Sequence, residues 1–176
     1  MNPLIKQLGT YAAYHRDPRN IFTHFFGVPM ILFAIISLFC RPGFELGGVT
    51  VVPAWLLSAV VAVWYLRLDV RFGITMALIY AACIAGGTVL AAQSTAVWLG
   101  GSIGLFVVGW VIQFIGHYYE GKKPAFMDDL RGLLVGPMFV TAEIGFALGL
   151  RHDTKAAIEK VAGPVRLREM KQLAAK

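Results

Sequence analysis

Apolar residues gather into five blocks along this chain, residues 21–39, 49–66, 72–92, 96–115 and 132–150, and nearly all charged positions fall in the stretches outside them. Four blocks carry no charged residue, and the fifth carries only Glu143. A helix needs about 20 apolar residues, within a range of roughly 17–25, to cross the hydrocarbon core of a bilayer. The blocks have that length. They predict an all-α, polytopic helical membrane protein with four transmembrane helices and a fifth hydrophobic segment that spans or re-enters. Pro137, Glu143 and several glycines in the fifth block favour a re-entrant or broken hairpin. Irregular backbone is tolerated at depth where protein or a wet cavity surrounds it.

Composition agrees with the pattern. Of the 176 residues 57% are hydrophobic and 15% charged, against about 25% charged in a soluble globular domain. No repeat or linker divides the chain, so residues 1–150 read as one membrane-embedded domain and 151–176 as a basic cytoplasmic tail. The tail holds Arg151, Lys155, Lys160, Arg166, Arg168, Lys171 and Lys176, a composition suited to anionic lipid headgroups and not to nucleic acid. Lys6, Arg16 and Arg19 precede the first block, Arg67 and Arg71 follow the second, and Lys122, Lys123 and Arg131 follow the fourth. The loop at 40–48 has Arg41 offset by Glu45, and the loop at 93–95 has no basic residue. Because basic loops stay inside, the N-terminus and the loops around Asp69 and His117 are expected in the cytoplasm. The basic tail then argues again for a fifth block that turns back. A bacterial inner membrane and an endoplasmic reticulum fit equally. Cys40 and Cys83 have no spacing that suggests a disulfide framework or a zinc site.

This topology brings polar residues from three distant segments to one boundary: His15, Asp17, Asn20 and His24, then Asp69, then His117 and Glu120. Asn20 and His24 stand four apart, and His117 and Glu120 three apart, so each pair shares a helix face. Pro18 interrupts any helix running from His15 to His24 and pushes Asp17 toward an extended conformation, which lets His15 fold back toward His24. Pro29 is expected to kink the first span. Imidazole is a common nitrogen ligand for iron, zinc and copper, and two or three histidines with a carboxylate suit a non-heme Fe(II) site. The metal candidates are therefore His15, His24 and His117, with Asp69 or Glu120 either ligating or orienting a ligand. Glu143 is a further candidate because carboxylates inside a membrane are scarce. Plainer roles stand beside these. Asp69 between Arg67 and Arg71 suits a loop ion pair, Glu143 suits a bond to a neighbouring helix, and His152 suits ordinary surface. Tyr118, Tyr119 and the tryptophans suit an aromatic belt. No GxSxG, P-loop or CxxC occurs.

The strings "YHRDPRNIFTHFFGVP", "QFIGHYYEGKKPAF" and "GPMFVTAEIGFALG" resemble the Mpo1-like family, also called DUF962, across residues 11–150. The resemblance implies an Fe(II)-dependent dioxygenase that uses molecular oxygen to shorten 2-hydroxy fatty acids by one carbon, in α-oxidation. The family's characterised fungal member works in the endoplasmic reticulum. Carried over by motif, His15, His24 and His117 are the implied iron ligands. The substrate's chain would lie among the spans, with its carboxylate and hydroxyl at the boundary near Arg16, Arg19, Lys122 and Lys123. Two other readings use the same residues. One is a non-catalytic lipid-binding or transport protein, although a transporter would carry its polar residues nearer the midplane. The other is a zinc-dependent hydrolase or a heme binder, which metal identity would separate. Neither chain-length preference nor oligomeric state has a signature in the sequence.

Overall fold

The computed structural model describes residues 2–169, and Lys171 and Lys176 of the expected tail lie outside them. Seven helices and one hairpin follow in order: α1 (Pro3–Ala12), α2 (Pro18–Leu38), β1 (Phe44–Leu46), β2 (Val49–Val51), α3 (Pro53–Leu68), α4 (Val70–Ala91), α5 (Thr95–Glu120), α6 (Gly132–Ala147) and α7 (His152–Ala162). The chain forms two compact units, Met1–Val28 with Trp110–Lys176, and Pro29–Gly109. Among the described residues, α2, α4 and α5 are the helices long and apolar enough to cross a membrane, whereas α3 and α6 have 16 residues each.

In the unit Pro29–Gly109, α3 and α4 pack together at a sharp junction. Asp69 ends α3 and caps α4, its carboxylate accepting the Phe72 N–H at 3.0 Å. Gly73 is required there, because a Cβ on it would lie 2.6 Å from the Leu66 backbone. Tyr65, Met76, Tyr80 and Ile84 form the buried seam. Arg41 caps the far end of α4 by donating to the Ala91 carbonyl, and its guanidinium stacks 4.5 Å over Trp98. The block at 49–66 is not helical throughout. Its first three residues pair antiparallel with Phe44–Leu46, because Gly47 and Gly48 both take positive φ, 59° and 81°, and close a two-residue turn. Pro53 then starts α3 at the position where a missing N–H does no harm.

In the other unit, α1 packs against α6 and α7. Leu4, Leu8 and Ala12 are buried on α1, Ile158 on α7, and Val135, Met138, Phe139 and Val140 on α6. The fifth apolar block is one continuous helix with Pro137 inside it, and not the hairpin that its proline, glycines and glutamate suggest. Burial explains the difference, since residues 135–140 of α6 are all buried, Pro137 among them. A helix enclosed in this way can carry a proline without turning back. The expected tail is also structured: Thr154 and Ile158 of α7 are buried, and the residue after α7 begins a strap, 163–169, that lies along the α1–α2 loop.

Candidate metal centre

The α1–α2 loop carries the first histidine. As α1 ends, the N–H groups of Tyr14 and His15 bond back to the Tyr11 and Ala12 carbonyls, and Pro18 begins the next helix. The turn directs His15 toward His24 on the second turn of α2, with ring centroids 4.4 Å apart. His117, near the end of α5, brings its ring to 4.9 Å from His15 and 5.2 Å from His24. α5 extends past its apolar block to Glu120, so His117 and Glu120 are helical. α2 and α5 can meet here because residue 116 is glycine. A Cβ on it would lie 2.0 Å from Thr23 Oγ1 and 2.5 Å from Asn20 Oδ1.

One ligand atom from each of the three imidazoles lies within 4.8 Å of those of the other two, and all three residues are buried. His15 Nδ1–H donates to the Tyr11 carbonyl at 2.7 Å, and His24 Nδ1–H to the Asn20 carbonyl at 2.8 Å. Each bond fixes a tautomer and leaves Nε2 with a free lone pair. His15 Nε2 and His117 Nδ1 are buried without a hydrogen-bond partner, which is costly unless something fills the gap. Burial, reinforced by His24 and His117 alongside, pushes His15 well below the usual histidine range, so its ring stays neutral near neutral pH. The Tyr11 ring stacks on it at 4.1 Å and 10°. Three buried imidazoles, each offering a ring nitrogen within 4.8 Å of the others', form a donor set that suits a transition-metal ion.

The remaining candidates have other tasks. Glu120 is fully buried. Its Oε2 accepts from the Arg16 N–H at 2.8 Å, the Asp17 N–H at 2.7 Å and Asn20 Nδ2 at 3.2 Å. Its Oε1 forms an ion pair with Arg168 at 2.6 Å. It holds the loop and is not among the clustered nitrogen donors. Asn20 links that carboxylate to His24 through its own backbone. Asp69 belongs to the Pro29–Gly109 unit as the cap of α4. Glu143 pairs with Arg16 at 3.6 Å. Burial opposes the charge on Asp17, but the Arg19 guanidinium and two backbone N–H groups outweigh it and hold the carboxyl below its usual range. His152 is exposed at the start of α7. Lys122 donates to the Ala13 carbonyl, and Lys123 pairs with Asp128.

Tyr11, Gly116, Gln113 and Arg168 are absent from the set read in the sequence. Gln113, one turn before His117, has a buried amide oxygen with no hydrogen-bond partner. It is the last polar side chain inside an otherwise apolar block, and that is the signal by which it was findable. Arg168 stood hidden among ordinary tail cations.

The fold and the centre together define a helical protein with a buried three-histidine site. Residues 1–148 match the family described as "Mpo1-like: 2-hydroxy-palmitic acid dioxygenase Mpo1-like". The chain is 32% identical over 159 residues to the 2-hydroxy-palmitic acid dioxygenase MPO1 of Saccharomyces cerevisiae, covering 89% of this chain and 87% of that protein. No solved structure matches. The chain belongs to the Mpo1-like family.

Proposed function

We propose that this protein is a membrane-embedded, Fe(II)-dependent dioxygenase that converts 2-hydroxy fatty acids to acids one carbon shorter. The observation that carries the reading is the buried cluster of His15, His24 and His117, with unpartnered ring nitrogens, in a chain of this family. The atoms of a 2-hydroxy acid and O₂ account for a fatty acid one carbon shorter, CO₂ and water. The C1–C2 bond breaks, the substrate is oxidised and O₂ is reduced. Bound by the three histidines, Fe(II) would supply a redox-active centre with open positions for O₂ and the substrate, while the electrons that reduce O₂ come from the substrate.

The chain's own residues do the rest. The Tyr11 and Asn20 carbonyls fix the tautomers of His15 and His24, and the stacked Tyr11 ring holds the His15 plane. Burial keeps water from the ring nitrogens. The unpartnered oxygen of Gln113 suits the 2-hydroxyl of the substrate as donor. Membrane residence is supported by the length of α2, α4 and α5. It is supported also by their outward apolar side chains, among them Phe22, Leu78, Val107 and Phe114, which in water would form a large exposed apolar surface. A substrate's alkyl chain partitions into the same layer.

The test is detergent-purified protein loaded anaerobically with Fe(II) and then given 2-hydroxypalmitate and O₂. The expected result is near-stoichiometric iron, oxygen uptake and a C15 acid identified by mass spectrometry. In folded His117→Ala, iron and product should both be lost. A protein that takes up zinc tightly, and gives no shortened acid with iron, would instead be assigned hydrolytic chemistry, which three histidines also serve.

A further inference from the structure

We propose that Arg168, on the strap after α7, is a positioning residue for the histidine centre and acts through Glu120. The proposal rests on the metal-centre reading above. The strap lies beyond residues 1–148, the part of the chain that matches the family.

Glu120 stands between the two histidines that come from the N-terminal part of the chain. Through Oε2 it gathers the N–H groups of Arg16 and Asp17, the two residues that follow His15. Through the same atom it takes the side-chain amide of Asn20, whose carbonyl holds His24 Nδ1. One carboxylate therefore sets the loop bearing His15 and the residue that orients His24. It does so fully buried, where a carboxylate must be charge-compensated to remain an acceptor of this strength. The guanidinium of Arg168 is in direct ion-pair contact with its other oxygen, at 2.6 Å.

The strap is fastened so as to deliver that guanidinium. The Arg168 N–H donates to Asp17 Oδ2 at 2.9 Å, and the Arg168 carbonyl accepts from Arg19 Nη2 at 2.9 Å. The Arg166 N–H donates to the Arg16 carbonyl at 2.9 Å, and Arg16 Nη1 donates to the Gly163 carbonyl at 3.1 Å. Four hydrogen bonds to the main chain of the strap thus tie residues 163–168 to residues 16–19, one of them to main chain and three to side chains. A merely solvated basic tail has no reason to make them. Without Arg168, Glu120 is a buried charge lacking its direct counterion. Nothing then holds Oε1 in place, and a carboxylate free to shift loosens its grip on the N–H groups of Arg16 and Asp17. Loss of such an outer partner typically weakens metal binding about 10–100-fold.

The experiment uses the full chain in detergent and Co(II) as a visible probe, in wild type, Arg168→Gln, Glu120→Gln and the double variant. Arg168→Gln keeps most of the side-chain volume and removes the charge. We expect it to bind Co(II) about tenfold or more weakly and to shift the cobalt d–d absorption. In the double variant the amide at 120 needs no counterion, so affinity and spectrum should return most of the way to wild type. An Arg168→Gln variant that matches wild type in affinity and spectrum overturns the proposal. So does a double variant no better than the single one. If Arg168→Gln does not fold, a folded double variant supports the charge coupling, and an unfolded one overturns it. Wild-type protein that takes up no cobalt overturns the centre itself together with this proposal. Wild type that binds cobalt while Arg168→Gln changes nothing overturns the proposal alone. Iron-loaded wild type that leaves 2-hydroxypalmitate unchanged overturns the dioxygenase reading, while the cobalt results still decide the role of Arg168.

Discussion

At the scale of single residues, the centre depends on how closely α2 and α5 approach. Gly116 is where they meet, and Gly116→Ala puts a methyl group against Thr23 and Asn20. Overpacking of this kind costs about 1–3 kcal/mol. The expected outcome is a lower thermal midpoint and reduced metal content, with part of the loss recovered in Gly116→Ala/Thr23→Ala; differential scanning fluorimetry and metal analysis would check both. A midpoint and metal content equal to wild type would show that the helices are less closely coupled than they look. The three histidines were legible in the sequence because they fall at or near the boundaries of the first and fourth apolar blocks expected on the cytoplasmic side, His24 just inside one and His15 and His117 just outside, where hydropathy alone gives them no place. Gly116 and Tyr11 were not, because a small residue and an aromatic one fit equally well as general packing. Their roles come only from what the partner helix places opposite them. Glu120 was visible as a candidate, but its position could not reveal that three donors and a guanidinium already occupy its oxygens.

At the scale of elements, block lengths and helix lengths agree where the chain is uninterrupted and diverge where local turn chemistry intervenes. Glycines 47 and 48 take three residues from the second block into a hairpin, a conformational preference that a hydrophobicity pattern does not weigh. The α6 proline misled for a related reason, since whether a proline breaks a helix depends on what encloses it. Helix α7 had the weakest signal because its charges concealed a narrow apolar stripe. Its attachment is testable. Ile158 is buried, and Ile158→Ala is expected to cost about 2–4 kcal/mol, as for a core truncation. Limited proteolysis should then cut between α6 and α7 well before wild type is cut.

At the scale of the whole molecule, the expected orientation concerns α5 most directly, because this helix runs from a loop without basic residues to the basic loop after His117. With Cys40 and Cys83 replaced by serine, a cysteine at Ser94 and one at Lys122 are expected to react with an impermeant maleimide from opposite faces of sealed vesicles, the one at Lys122 from the cytoplasmic face. Labelling of both from the same face would contradict a spanning α5 and, with it, the reading of the chain as polytopic. The outward apolar surface also predicts that the protein stays monodisperse in detergent and precipitates when the detergent is removed.

The centre draws His15 and His24 from the beginning of the chain, and His117, with the residue that compensates Glu120, from well beyond its middle. During synthesis the first two histidines leave the ribosome long before their partners exist. The early helices must therefore fold while the three-histidine cluster is still incomplete. Only after Arg168 has emerged can the loop, the three rings and their supports close together. If the cluster holds a metal as proposed, loading belongs late in biogenesis, and a nascent chain arrested before that point would expose two imidazoles with nothing to share.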